Sequence, residues 1–98
     1  MKDIDGYEGL YAITSCGKVW SYRTKKFLKP QKMKNGYLRI GLYKDDKPKF
    51  FYVHRLVALA YVSNPDNLET VDHIDENKEH NYINNLRWLS RKENKSRS

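Results

Sequence analysis

Asp72 and His73 are neighbours in this 98-residue chain, with Asn85 and Asn94 twelve and twenty-one residues beyond the histidine. Oxygen ligands from Asp72 and Asn94 suit a hard cation such as Mg²⁺ and do not suit zinc. His73, beside the carboxylate, can offer a neutral imidazole near pH 7 to take a proton from water. A metal-held phosphodiester and a histidine-activated water together suffice for hydrolysis.

These residues need elements to bring them together. Thr70 to Ile74 and Leu86 to Ser90 read as two short strands around a polar loop rich in Asn, Lys and Glu. Ser90 with Glu93 three residues on is a capping box, so a helix that carries Asn94 is expected to start there. Strand, loop, strand and helix form a compact unit that can converge on one point. Upstream, Leu56, Val57, Ala60 and Tyr61 make an apolar stripe with helical spacing over 54–62, stopped by Asn64-Pro65-Asp66-Asn67. Leu10–Thr14 and Lys18–Tyr22 read as one hairpin, and Tyr37–Tyr43 and Lys49–Val53 as a second with a loop over 44–48. In the second, Leu38, Ile40 and Leu42 share a face. Lys25 to Lys32 reads as an extended basic segment or short strand. The expected class is α+β, with antiparallel hairpins and a short helix first. Leu56, Val57, Ala60, Val71, Ile74, Leu86, Trp88 and Leu89 are the expected core of the second half.

Charge divides along the same line. The net formal charge is +7, made of −2 over 1–17, +9 over 18–49, −4 over 50–86 and +4 over 87–98. Lys and Arg for phosphates around a carboxylate-rich centre suit a polyanion binder that also holds a cation. No apolar run approaches the length of a membrane span, and no signal peptide is visible at Met1 to Asp5. Cys16, the single cysteine, excludes an internal disulfide and Cys₂ or Cys₄ zinc sites, so no structural zinc is expected. A reducing, cytoplasmic setting fits. Aromatic residues at 13% argue against a disordered basic tail.

Val53-His54-Arg55-Leu56-Val57-Ala58, Val71 through Lys78, Asn84-Asn85-Leu86-Arg87-Trp88 and Ser90 through Asn94 together resemble an HNH nuclease, more narrowly the HNH homing endonucleases of bacteriophage introns. Asp3 through Tyr11, with Gly17-Lys18-Val19-Trp20-Ser21, is similar to the modular N-terminal motif that accompanies them. The resemblance implies a ββα-metal unit over 50–98 and an N-terminal β-rich DNA-binding module over 1–49. It implies cleavage of duplex DNA to 5′-phosphate and 3′-hydroxyl ends, with Mg²⁺ as cofactor and Mn²⁺ as a substitute. His73 is implied as general base, Asp72 and Asn94 as metal ligands, and Asn85 as the residue that orients His73 and braces the loop.

Two departures carry expectations of their own. Glu76 stands where the family turn has glycine, so that turn is made without an easy positive φ. The chain also stops soon after Asn94, without the C-terminal DNA-binding module of larger members, which puts long-site specificity in doubt. Arg23, Lys25, Lys26, Lys29, Lys32, Lys34 and Arg39 are the densest phosphate-contact candidates, with Arg87 and Arg91 beside the second unit. About six neutralised phosphates give a log–log salt slope of about −5.

Blander roles suit the remaining candidates: His54 structural, His80 solvated, Trp88 core, Cys16 without a role. The expected partner is double-stranded DNA, with no membrane and no protein partner beyond a second copy of the chain. The alternatives are a DNA-binding protein that keeps the fold but cleaves little, and a nonspecific or structure-directed nuclease.

Overall fold

The computed structural model describes residues 1–93. Its first sheet runs in the order β1 (Lys2–Asp3), β2 (Tyr11–Ile13), β3 (Val19–Ser21) and β4 (Lys26–Leu28), antiparallel throughout. β2 and β3 are the first hairpin. Its reversal needs Gly17, which sits at φ +87° and donates its N–H to Thr14 O at 3.2 Å. β4 comes from the basic segment after it, and Pro30 separates β4 from β5 (Gln31–Lys32), which opens the next sheet.

That second sheet has the order β5, β6 (Leu38–Lys44), β7 (Lys47–Tyr52). Its hairpin turn is shorter than the 44–48 loop read from the sequence. Asp45 and Asp46, at φ 53° and 62°, make it alone, a two-residue reversal with the twist that antiparallel strands prefer. Pro48, opposite Tyr43, is tolerated because β7 is an edge strand. Ile40 and Leu42 are buried and Tyr43 faces out, as the alternation requires.

α1 (Val53–Tyr61) follows β7 without a break and buries Val53, His54, Leu56, Val57 and Ala58. Asn64 closes the turn beyond it: its Oδ1 accepts from Leu68 N–H at 2.8 Å and its Nδ2 donates to Leu68 O at 3.0 Å. β8 (Thr70–His73) then pairs antiparallel with β9 (Leu86–Leu89), in a register that sets Val71 against Trp88, Asp72 against Arg87 and His73 against Leu86. Ser90 and Glu93 form the reciprocal capping box. Glu93 N–H donates to Ser90 Oγ at 3.1 Å, Ser90 N–H to Glu93 Oε1 at 3.3 Å, and a helix begins at residue 91. Asn94 lies outside the described residues.

One hydrophobic cluster joins the sheets through α1, from Ile4, Ile13 and Val19 through Leu42, Val53 and Val57 to Val71, Leu86 and Trp88. Ala60 and Leu89 are only half-buried, and Ile74 is 46% exposed. Ile74 was expected in the core as a strand residue. β8 ends before it, because Glu76 N–H bonds His73 O at 2.9 Å and turns the chain outward. The two halves also share polar contacts: Tyr61 Oη donates to Ile13 O at 2.7 Å and Ile83 N–H to Ser15 O at 2.9 Å. Among the described residues no helix is long and apolar enough to cross a membrane.

Candidate active site

β8 carries Asp72 and His73 on opposite sides of the strand, and both are buried. Asp72 sits across the ladder from Arg87, whose Nε donates to its Oδ2 at 3.0 Å. An opposite-charge pair directly across two strands supports the register while aiming the carboxylate. Arg87, read from the sequence as a phosphate contact, thus has its guanidinium on Asp72.

His73 meets a residue that the sequence reading did not single out. Its Nε2 lies 2.7 Å from Oδ1 of Asn81, which is itself buried. An amide oxygen only accepts, so Nε2 carries the proton and Nδ1 the lone pair. Nδ1 makes no hydrogen bond among the described residues and is not sealed from solvent. A neutral imidazole held this way is a base with a single working nitrogen.

Asn85, implied by resemblance to orient His73, spends its side chain on the loop. Its Oδ1 accepts from Asp75 N–H at 3.1 Å, and its Nδ2 donates to Asp75 Oδ1 at 2.9 Å and to His80 O at 2.8 Å. His80 joins the same brace while its side chain stays 38% exposed, with its Nδ1 2.6 Å from Asp75 Oδ2. The hydrogen bonds from His80 and from Asn77 N–H hold the Asp75 carboxyl down to about 2. Within this loop Glu76 takes φ 65°, at the turn where the resemblance led glycine to be expected, a strain of about 1–2 kcal/mol for a residue with a Cβ.

A ring cluster backs the histidine. Tyr37, from the residue before β6, stacks on His54 at 4.9 Å and approaches His73 at 5.9 Å, while His54 and His73 are 5.0 Å apart. The cluster draws on the β5–β7 sheet, α1 and β8, so no local pattern announces it. Asn81 was equally hidden, one Asn among several in a polar loop. It becomes informative only once Gly17 is seen against it, where an added Cβ would come within 2.8 Å of Asn81 Cβ.

The basic candidates spread over the surface. Arg23, Lys25, Lys26, Lys29 and Lys34 are exposed. Lys32 Nζ pairs with Glu79 at 3.1 Å, tying the basic segment to the His73 loop. Arg39 is half-buried, with its Nε on Gln31 Oε1 at 3.1 Å and its guanidinium 4.3 Å over the Phe50 ring. Arg91 is exposed, and its backbone N–H donates to the Glu69 carboxylate at 3.1 Å. Asp72, the residue before His73 on β8, offers a hard oxygen donor; no three His, Cys, Asp or Glu side chains among the described residues converge as a metal cluster. One carboxylate fits a hard cation that keeps most of its water, as Mg²⁺ does, and does not fit tetrahedral zinc.

Residues 2–43 match the model of the NUMOD4 motif, and residues 51–96 match that of the HNH endonuclease family. The chain is 48% identical over 93 residues to the DNA endonuclease I-HmuI of Bacillus phage SP01, covering 95% of this chain and 53% of that one. Residues 51–96 thus carry the sequence of the HNH endonuclease family. An uncharacterized HNH endonuclease of Acanthamoeba polyphaga mimivirus is 44% identical over 84 residues, which is 86% of this chain and 26% of the mimivirus protein. Among solved structures, that of the HNH homing endonuclease I-HmuI, described for DNA binding and cleavage, superposes with a TM-score of 0.90 at 47% identity, covering 98% of this chain and 55% of that one. This HNH chain thus spans about half the length of I-HmuI, and its mixed fold of antiparallel strands and a short helix is the I-HmuI fold.

Proposed function

We propose that this HNH chain is a metal-dependent endonuclease that hydrolyses phosphodiester bonds in duplex DNA, using Mg²⁺ or, in its place, Mn²⁺. The observation that carries the reading is the 2.7 Å contact between His73 Nε2 and Asn81 Oδ1. It leaves Nδ1 as the nitrogen that takes a proton from the attacking water, one residue from the Asp72 carboxylate. As the ring gains charge, the Asn81 carbonyl stabilises the imidazolium through the same hydrogen bond.

Asp72, together with Asn94, would hold the metal, which would supply charge to bind the scissile phosphate and to offset charge on the leaving oxygen. Arg87 fixes one Asp72 oxygen from across the ladder. Asn85 contributes by holding Asp75 and His80 in place, so the loop that carries Asn81 keeps its shape. Residues 1–49 form the proposed DNA-gripping module, with Arg23, Lys25, Lys26, Lys29, Lys34 and Arg39 on phosphates, and 50–98 the cutting module. The activity named for I-HmuI and the match to its fold support this reading.

Supercoiled plasmid tests it. With Mg²⁺ at low salt the chain should convert plasmid to nicked or linear product, and EDTA should stop the reaction. Binding without cutting under both Mg²⁺ and Mn²⁺ would leave a DNA-binding protein that keeps the HNH fold.

A further inference from the structure

His54 is a buried imidazole that the reaction above does not use. It lies in the first turn of α1, 8% exposed, among Tyr37, Tyr52 and His73, with ring centroids 4.9, 5.4 and 5.0 Å away. Its Nδ1 is sealed from solvent with no hydrogen-bond partner among the described residues. A phenyl ring would fill the same slot and strand no polar atom, so packing does not account for an imidazole here. The two nitrogens differ in surroundings. Nε2 also makes no hydrogen bond among the described residues, but it is not sealed as Nδ1 is and keeps some access to solvent.

The ring is neutral: burial, then the nearby His73 and Arg55, push its pKa down to about 3. Of the neutral tautomers, one strands an N–H at the sealed position and the other leaves only a lone pair there. Buried N–H groups without partners are the rarer of the two, so the proton belongs on Nε2. The N–H then lies on the unsealed edge of a ring whose centroid is 5.0 Å from that of His73. A second feature at the same end of α1 marks it for an anion. The helix starts with no side-chain cap and no acidic residue in its first turn, so its partial positive charge is not offset locally.

We infer that His54 is a second substrate-contacting residue of this site, its Nε2–H a hydrogen-bond donor to a phosphate oxygen of the DNA strand held at His73. This rests on the nuclease reading and adds to it a neutral donor, fixed in place before substrate arrives. Such a donor stabilises charge that grows on the phosphate oxygens, and it does not compete for the proton that His73 removes.

Long-range ¹H–¹⁵N spectra of the labelled chain read the tautomer directly. The proton should sit on Nε2, and the Nε2 resonance should move when a short DNA duplex is added. A proton on Nδ1, or an Nε2 resonance unmoved at saturating duplex, overturns the inference whatever the cleavage assay gives. In single-turnover plasmid cleavage with Mg²⁺, His54→Phe keeps the ring and loses the donor, and its rate should fall about 10²-fold while duplex binding changes less than about twofold. His54→Gln, whose amide keeps an N–H near the Nε2 position, should recover to within about tenfold of the unaltered chain. His54→Phe cutting at full rate overturns the donor role, and so does an equal loss in both variants when both melt as folded proteins. If the unaltered chain leaves plasmid intact while the duplex still moves the Nε2 resonance, the nuclease reading fails and the phosphate contact stands.

Discussion

Asn81 matters because one accepted hydrogen bond leaves Nδ1 as the nitrogen of His73, the proposed base, that holds the lone pair. Asn81→Leu keeps the volume and removes the acceptor, so the ring is free to hold its proton on Nδ1. Cleavage should drop by about 10²-fold with DNA affinity unchanged, measured as a fall in kcat without a rise in KM. His54 makes a different prediction, about stability. Its pKa is about 3 in the folded chain against an ordinary 6.5. Between those values the unfolded chain binds the extra proton, so stability is full above about pH 6.5 and is lost as pH falls toward 3. The slope for one proton is at most about 1.4 kcal/mol per pH unit. Denaturant melts of the unaltered chain and of His54→Phe should diverge over that range, the variant losing less stability as pH falls.

At the scale of elements, the His73 loop is held by parts distant in sequence. Gly17 lies against Asn81, and Ser15 O accepts the Ile83 N–H. Lys78 Nζ donates to Asn35 O at 2.8 Å and sits 4.9 Å over the Tyr37 ring. Gly17→Ala both strains a φ of +87° and drives a methyl to within 2.8 Å of Asn81 Cβ. It should cost about 3 kcal/mol in thermal or denaturant unfolding, and cleavage should fall along with it.

These elements differ in how far sequence reveals them. α1, β8, β9 and the capping box were legible because each rests on a local rule: apolar spacing, alternation, or Ser90 with Glu93 three residues on. The Asp45–Asp46 turn was read too long because two aspartates do not announce positive φ as Asn-Gly would. Asn81, Tyr37 and His54 were not legible as a group. Their positions around His73 come from packing β2–β3, the β5–β7 sheet and α1 together, and no spacing within one segment encodes that.

Over the whole molecule, positive charge is in excess in residues 18–49 and again in 87–98, and negative charge is in excess in residues 1–17 and in 50–86, where Asp72 and His73 lie. The proposed division into a gripping and a cutting module is one of charge rather than of packing. A single hydrophobic cluster runs from Ile4 and Val19 to Val71 and Trp88, and Lys32 pairs with Glu79 across the two parts. On the proposed reading, a long-range field from the basic residues draws DNA in, and the arrangement of a few buried groups decides whether it is cut. The central claim is that His73 is the base that activates water. It is tested most directly by single-turnover plasmid cleavage with His73→Ala, with and without added imidazole. The variant should bind DNA normally, cut about 10³-fold more slowly, and regain part of its rate when imidazole is supplied. A His73→Ala chain that cuts as fast as the unaltered protein would contradict it.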